Sequence, residues 1–206
     1  MRAGILSAVC ISLAFAAGCR KDEGNTAAAP AAPGAAGKVL MVVAHENFRD
    51  EELLVPKRIL EAEGFAVVVA STSLTPARGM LKAEVTPQTT LKDADVADFS
   101  AVVFVGGQGA ISNWDNKDAH RLAQESVAQG KVTAAICLAT GILAKAGVIK
   151  GTMVTGWPSS DHERIIREGG ATYVKKDVVV DGGIITAPGP EAAEAFGRAI
   201  AQALRQ

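Results

Sequence analysis

The sequence predicts an α/β domain of three layers, a mainly parallel sheet with helices on both faces. Three observations carry that prediction. Short β-branched runs at 38–44, 65–71, 101–107 and 131–137 alternate with stretches of helical periodicity. The runs are continuously apolar, as strands covered on both faces are, and do not alternate polar with apolar residues. The composition agrees, with 49% hydrophobic residues, only 4% aromatic ones and 21 glycines for tight connections. A chain of 206 residues has room for one such domain with accessory segments, and a net charge of −1 without basic runs gives no case for nucleic acid.

In chain order, residues 1–19, "MRAGILSAVCISLAFAAGC", carry a basic start at Arg2, an apolar stretch and small residues before Cys19. That pattern is an export signal, too short for a membrane-spanning helix. Its ending resembles a bacterial lipoprotein signal, which makes Cys19 the expected lipidation site and places the protein at the cell envelope, bound to the bilayer. An ordinary secretory signal is the alternative. Residues 20–37 are rich in Ala, Pro and Gly without apolar period, the composition of a tether. The folded domain is then expected over 38–206. Of three cysteines, Cys10 leaves with the signal and Cys19 carries lipid, so Cys137 is the free thiol of the mature chain.

Within the domain, "KVLMVVA" reads as the first strand. "ELLVPKRILEAEG" reads as the first helix, with Leu53, Leu54, Ile59 and Leu60 at helical spacing and Gly64 closing it. Pro56 lacks an N–H, which places the start of that helix no earlier than about Glu52. Residues 72–100 are poorly periodic, with room for a small hairpin and a strand near 89–91. "AVVFVGG" is a strand ending in Gly106 and Gly107. A helix over 116–130, a strand over 131–137 and a helix over 139–149 follow. The remainder suggests short strands, a turn at 181–183 and a closing helix.

"TAAICLATGIL" has the layout of a nucleophile elbow, a reactive side chain on a sharp strand-to-helix turn between small residues. Oriented N–H groups and a following helix are expected to lower the Cys137 pKa. In a parallel sheet the elbow, the Gly106-Gly107 turn and Glu52 share the carboxyl edge. Gly107 and Leu138 are the expected N–H donors to an oxyanion. Glu52 is either the partner of the thiol or a helix N-terminal acid, and Asp50 and Glu51 compete with it.

The ordered set "HENFRDEELLVP", "FVGGQGA", "AAICLATGILAKAGVIKG" and "GWPS" resembles the PfpI family, which includes intracellular-protease-like proteins and the parkinsonism-associated deglycase and has the class I glutamine amidotransferase-like fold. The resemblance spans Lys38 to about Leu204. It implies a cysteine at a strained elbow, here Cys137, in contact with a glutamate four residues before a proline, here Glu52. It also implies a homodimer, and action on methylglyoxal-type carbonyls, peptidase action or oxidative-stress sensing. Peptidase-like members have histidine directly after the cysteine, where this chain has Leu138. Others have histidine before a later proline, where this chain has Trp157 before Pro158.

The expected function is therefore cysteine chemistry on small carbonyl or acyl compounds. The alternatives are a redox-sensing or chaperone-like protein using the same Cys137–Glu52 pair, and a binding protein with an inert cysteine. No cofactor and no metal are called for; Asp161, His162 and Glu163 are adjacent and do not share a helix face. His45, which follows the first strand, is a candidate pocket residue, as are Gly106, Trp157 and Pro158. His120 is expected to be solvated on its helix, and His162 to cap or lie exposed on a helical turn. Trp157 and Trp114 either roof the cysteine pocket or cover apolar surface elsewhere.

Overall fold

The computed structural model describes Met1 and residues 36–206; the expected signal, Cys10, Cys19 and all but the end of the 20–37 segment lie outside those residues. Strand β1 (Lys38–Val42) is followed by a short β2 (Glu46–Phe48) and helix α1 (Asp50–Ala62). Next come β3 (Ala66–Ser71), the small strands β4 (Ala77–Gly79), β5 (Glu84–Val85) and β6 (Thr89–Thr90), then β7 (Ala101–Phe104) and α2 (Lys117–Ala128). Strand β8 (Val132–Ile136) runs through a single 3-10 turn, Cys137–Ala139, into α3 (Thr140–Lys145). After β9 (Met153–Val154), α4 (Ser160–Glu168) and β10 (Thr172–Tyr173), the chain closes with β11 (Val179–Asp181), β12 (Ile184–Ala187) and α5 (Ala193–Ala203).

The main sheet has the order β11-β12-β8-β7-β1-β3-β6. All its pairings are parallel except β11 with β12. The continuous apolar runs are explained by burial on both sides. Leu40, Val42, Val102 and Phe104 face a core with Leu122 and Leu143, while Val39, Met41, Val103 and Ile136 face one with Leu53, Leu60, Phe196 and Ile200. Helix α1 packs on α5 so closely that a Cβ at Gly197 would lie 2.9 Å from Cα of Pro56.

Two helix boundaries depart from expectation. Helix α1 starts at Asp50, before Glu52, and Pro56 is its seventh residue, leaving the Glu52 carbonyl without its usual N–H donor four residues on. A tertiary contact fixes this start. The buried Asp50 carboxylate accepts the N–H groups of Leu81 (2.8 Å) and Ala83 (2.7 Å), fastening the first turn to the β4–β5 loop. Helix α3 ends at Lys145, short of the expected 149, because the chain turns off at Gly147 with φ +74°.

From β1 the chain crosses to β3 on one side and later returns to β7 on the other. The carboxyl ends of β1 and β7 therefore diverge and leave a crevice, the place where open α/β sheets bind ligands.

Candidate active site

Cys137 follows β8 directly and has φ +61°, the left-handed region that a residue with a Cβ enters at a cost. Its neighbours keep it there. The Trp157 N–H donates to the Cys137 carbonyl (3.3 Å), and Nε1 of Trp114 donates to the Leu138 carbonyl (2.8 Å). The elbow is thus clamped at two successive carbonyls, and the Cys137 side chain is almost fully buried.

Glu52 sits in the first turn of α1 with no exposed surface, and neither carboxylate oxygen has a hydrogen-bond partner of ordinary geometry. Burial pushes its pKa up to about 7, against the opposing pull of the Cys137 side chain, the Gly106 N–H and the Arg49 charge. The glycine pair makes this packing possible. A Cβ on Gly106 would strike a Glu52 oxygen and lie 2.7 Å from Cβ of Cys137. Gly107 has φ +98°, and a Cβ there would lie 2.6 Å from the Asn47 carbonyl oxygen. The Arg49 N–H donates to the Gly106 carbonyl (2.9 Å), so the turn after β7 is pressed onto the junction of β2 and α1.

The N–H groups of Gly107 and Leu138 act on the Cys137 sulfur and lower its pKa, as their places in the sequence suggest. They do not prevail. Burial first, and the Glu52 charge second, push the thiol up to about 12. The expectation of a depressed thiol pKa is therefore corrected. Desolvation and a like-signed partner outweigh two N–H groups, and α3 is a helix of only six residues. Glu52 and Cys137 can be pictured as a coupled pair, with the carboxyl the first to lose its proton.

Cys137, Glu52, Gly107, Leu138 and Trp157 all line one cavity of about 270 Å³. Gly106 lies directly beneath the pair. The remaining pocket candidates are elsewhere. The His45 carbonyl accepts the Arg78 N–H (2.9 Å) and its Nε2 approaches Oγ1 of Thr75 (3.4 Å), because the chain turns towards β4 after β1 and carries His45 away from the cavity. Pro158 is exposed ahead of α4 and is not among the cavity-lining residues. The three acids divide cleanly: Asp50 holds the β4–β5 loop, Glu51 pairs with Arg49 (2.8 Å) and Glu52 meets the thiol.

One aromatic alternative is decided and two histidine expectations change. Trp114 does not roof the pocket; it stacks on His162 behind the elbow, ring centroids 5.9 Å apart. His162 is buried, its Nδ1 3.1 Å from the Trp157 carbonyl oxygen, and burial lowers its pKa. His120 is half-buried with Nε2 2.6 Å from the Trp114 carbonyl oxygen, not free in solvent.

Sequence reasoning missed Arg49, Met80, Gln108, Pro190 and Glu191 in the cavity wall. For the last two a signal existed: they follow β12, which is parallel to β8, and so leave the sheet at the same edge. Met80 had none, since its loop is brought across by tertiary contacts: the pairing of β4 with β2, its own N–H bond to the Phe48 carbonyl (2.9 Å) and the Asp50 tie. Among the described residues no group of three or more His, Cys, Asp and Glu is arranged to hold a metal ion.

Comparison with known proteins gives the same architecture. A profile of the DJ-1/PfpI family matches residues 37–203. An uncharacterized protein of Methanocaldococcus jannaschii is 39% identical over 170 residues, 82% of this chain and 83% of its own length. A deglycase of Pyrococcus horikoshii is 32% identical, covering 74% of this chain and 90% of its own. A glutathione-independent glyoxalase of Caenorhabditis elegans is 26% identical, covering 80% and 87%. The crystal structure of a ThiJ/PfpI domain protein from Brachyspira murdochii superposes with a TM-score of 0.79 at 34% identity, over 82% of this chain and 96% of that one. With this fold, this elbow and a profile match across the whole described domain, the chain belongs to the DJ-1/PfpI family.

Proposed function

We propose that the protein is a cysteine-dependent enzyme acting on small carbonyl compounds, of the glyoxalase or deglycase kind, with Cys137 as nucleophile and Glu52 as its base. The observation that carries the proposal is the pairing itself: a sulfur on a strained elbow beside a fully buried carboxyl, both lining one cavity. The names of two relatives, a deglycase and a glyoxalase, support the same class.

The high thiol pKa assigns the roles. At neutral pH the sulfur keeps its proton, so attack needs a base, and a carboxylate with pKa about 7 is matched to that task. As sulfur bonds to the aldehyde carbon of a 2-oxoaldehyde, Glu52 accepts the thiol proton and the carbonyl electron pair moves to oxygen. The Gly107 and Leu138 N–H groups stabilise that oxyanion. Glu52 returns the proton to it, giving a hemithioacetal. Shift of the former aldehyde hydrogen to the neighbouring carbon, with the hydroxyl proton passing to the former ketone oxygen, is redox-neutral and yields a 2-hydroxy thioester, which water cleaves to a 2-hydroxy acid and the free thiol. No histidine is among the cavity-lining residues, so the geometry gives no support to a Cys–His peptidase. A redox sensor is expected to have a thiol of low pKa, and burial holds that of Cys137 high.

Methylglyoxal turnover by the wild type should rise through about pH 7 as Glu52 ionises. It should vanish in Cys137→Ala and fall at least about a hundredfold in Glu52→Gln. Full turnover by Cys137→Ala would end the proposal. The proposal extends to an envelope location, with Cys19 lipidated and the domain dimeric. Cys19→Ser should release the protein from the membrane fraction, and unchanged fractionation would refute the anchor.

A further inference from the structure

Resting on that reading, we propose that Trp157 is the specificity-determining residue of the site. It would select uncharged 2-oxoaldehydes bearing an apolar or aromatic substituent over 2-oxoaldehydes whose substituent carries a carboxylate, such as 4-carboxyphenylglyoxal. Three observations converge on it.

The first is the fixing of the ring. Trp157 is held through its backbone on both sides: its N–H donates to the Cys137 carbonyl (3.3 Å), and its own carbonyl accepts the Ser159 N–H (2.9 Å) and lies 3.1 Å from Nδ1 of His162. Its six-membered ring rests against Gly189, where an added Cβ would be 3.6 Å from Cε3 and Cζ3. The same residue is 41% exposed and lines the cavity. A large aromatic surface left uncovered, yet tied to the nucleophile's own carbonyl, is a contact surface built in advance.

The second is the company it keeps. Met80 and Pro190 line the same cavity, and Met80 is itself 42% exposed. Together with Trp157 they form an apolar wall beside the polar pair, the mixture small-molecule sites use: apolar area for affinity, a few polar groups for orientation.

The third is charge. Among the described residues lining the cavity, Glu52 and Glu191 are acids and Arg49 is the cation. The Arg49 guanidinium is already taken by both oxygens of Glu51, at 2.8 and 3.1 Å. A substrate carboxylate would meet two acids and no unclaimed cation, whereas a neutral dicarbonyl meets no such penalty.

The test compares kcat/KM for phenylglyoxal, methylglyoxal and 4-carboxyphenylglyoxal in wild type, Trp157→Ala, Trp157→Leu and Glu191→Lys. Wild type should prefer phenylglyoxal and turn over 4-carboxyphenylglyoxal least. Trp157→Ala should raise KM for phenylglyoxal roughly tenfold and change methylglyoxal by less than about threefold, with Trp157→Leu between them. Glu191→Lys should raise the 4-carboxyphenylglyoxal-to-phenylglyoxal ratio. An unchanged phenylglyoxal-to-methylglyoxal ratio in Trp157→Ala would overturn the proposal, as would wild-type turnover of 4-carboxyphenylglyoxal matching that of phenylglyoxal. If wild type turned over none of the three, the proposed function would fall, and the wall would be judged by binding of acetophenone to Cys137→Ala in ligand-observed NMR. Binding weakened several-fold by adding Trp157→Ala upholds the wall, and equal binding refutes it.

Discussion

Replacing Glu52 with glutamine should stabilise the protein at alkaline pH while abolishing its chemistry. Folding raises this carboxyl from 4.5 to about 7. The folded state therefore holds the proton more tightly than the unfolded chain does. The stability this contributes is present in full below pH 4.5 and is lost as pH rises through 7. At 1.36 kcal/mol per tenfold change in proton affinity, the loss is about 3 kcal/mol by pH 8. Glutamine has a similar shape and no proton to lose. Urea denaturation followed by circular dichroism should then show Glu52→Gln close to wild type at pH 4.5 and about 2–3 kcal/mol more stable at pH 8. A difference between the two proteins that is the same at both pH values would refute the reasoning, because it would mean that Glu52 titrates alike folded and unfolded.

Other perturbations read other parts of the site. Gly107→Ala combines φ +98° with a collision against the Asn47 and Arg49 backbone and should cost at least about 2 kcal/mol, against about 1 kcal/mol for Gly130→Ala, which shares a positive φ but has no atom within 4 Å. Urea midpoints check both. Asp50→Ala strands the Leu81 and Ala83 N–H groups and should cost roughly 2–4 kcal/mol, with faster hydrogen exchange at both amides. Cys137→Gly should be more stable than Cys137→Ala by about 1 kcal/mol, since only glycine relieves the left-handed conformation, and calorimetry decides the order. His162 is buried with a lowered pKa, so its contribution is lost as pH falls through and below 6.5. The stability gap between wild type and His162→Gln should therefore narrow from pH 7 to pH 5.

Much of the site was legible because a parallel sheet sorts its loops. Once 38–44, 101–107 and 131–137 are strands of one direction, Glu52, the glycine pair and Cys137 must leave at the same edge, and the structure brings them into one cluster. What stayed hidden depends on contacts that no local pattern encodes. His45 shares that edge by position, but its carbonyl bonds to Arg78 and turns it away. Proline arithmetic put the helix start at Glu52, and the Asp50 tie to a loop thirty residues on moved it earlier. The sign of the Cys137 shift was missed for a related reason. Backbone N–H groups at an elbow can be read from sequence, whereas the depth of burial that outweighs them arises only when two cores close around the sheet.

The direction of that sheet has a practical side. Strand β1 is both the first strand and a central one, and it runs from Lys38 at one rim towards the Glu52 end at the other. Five residues at about 3.3 Å each set the two rims roughly 17 Å apart. The chain thus enters the domain through the middle of the rim opposite Cys137. A surface, bead or partner joined directly at Ala36 would therefore meet the rim opposite Cys137 and leave the mouth of the cavity clear.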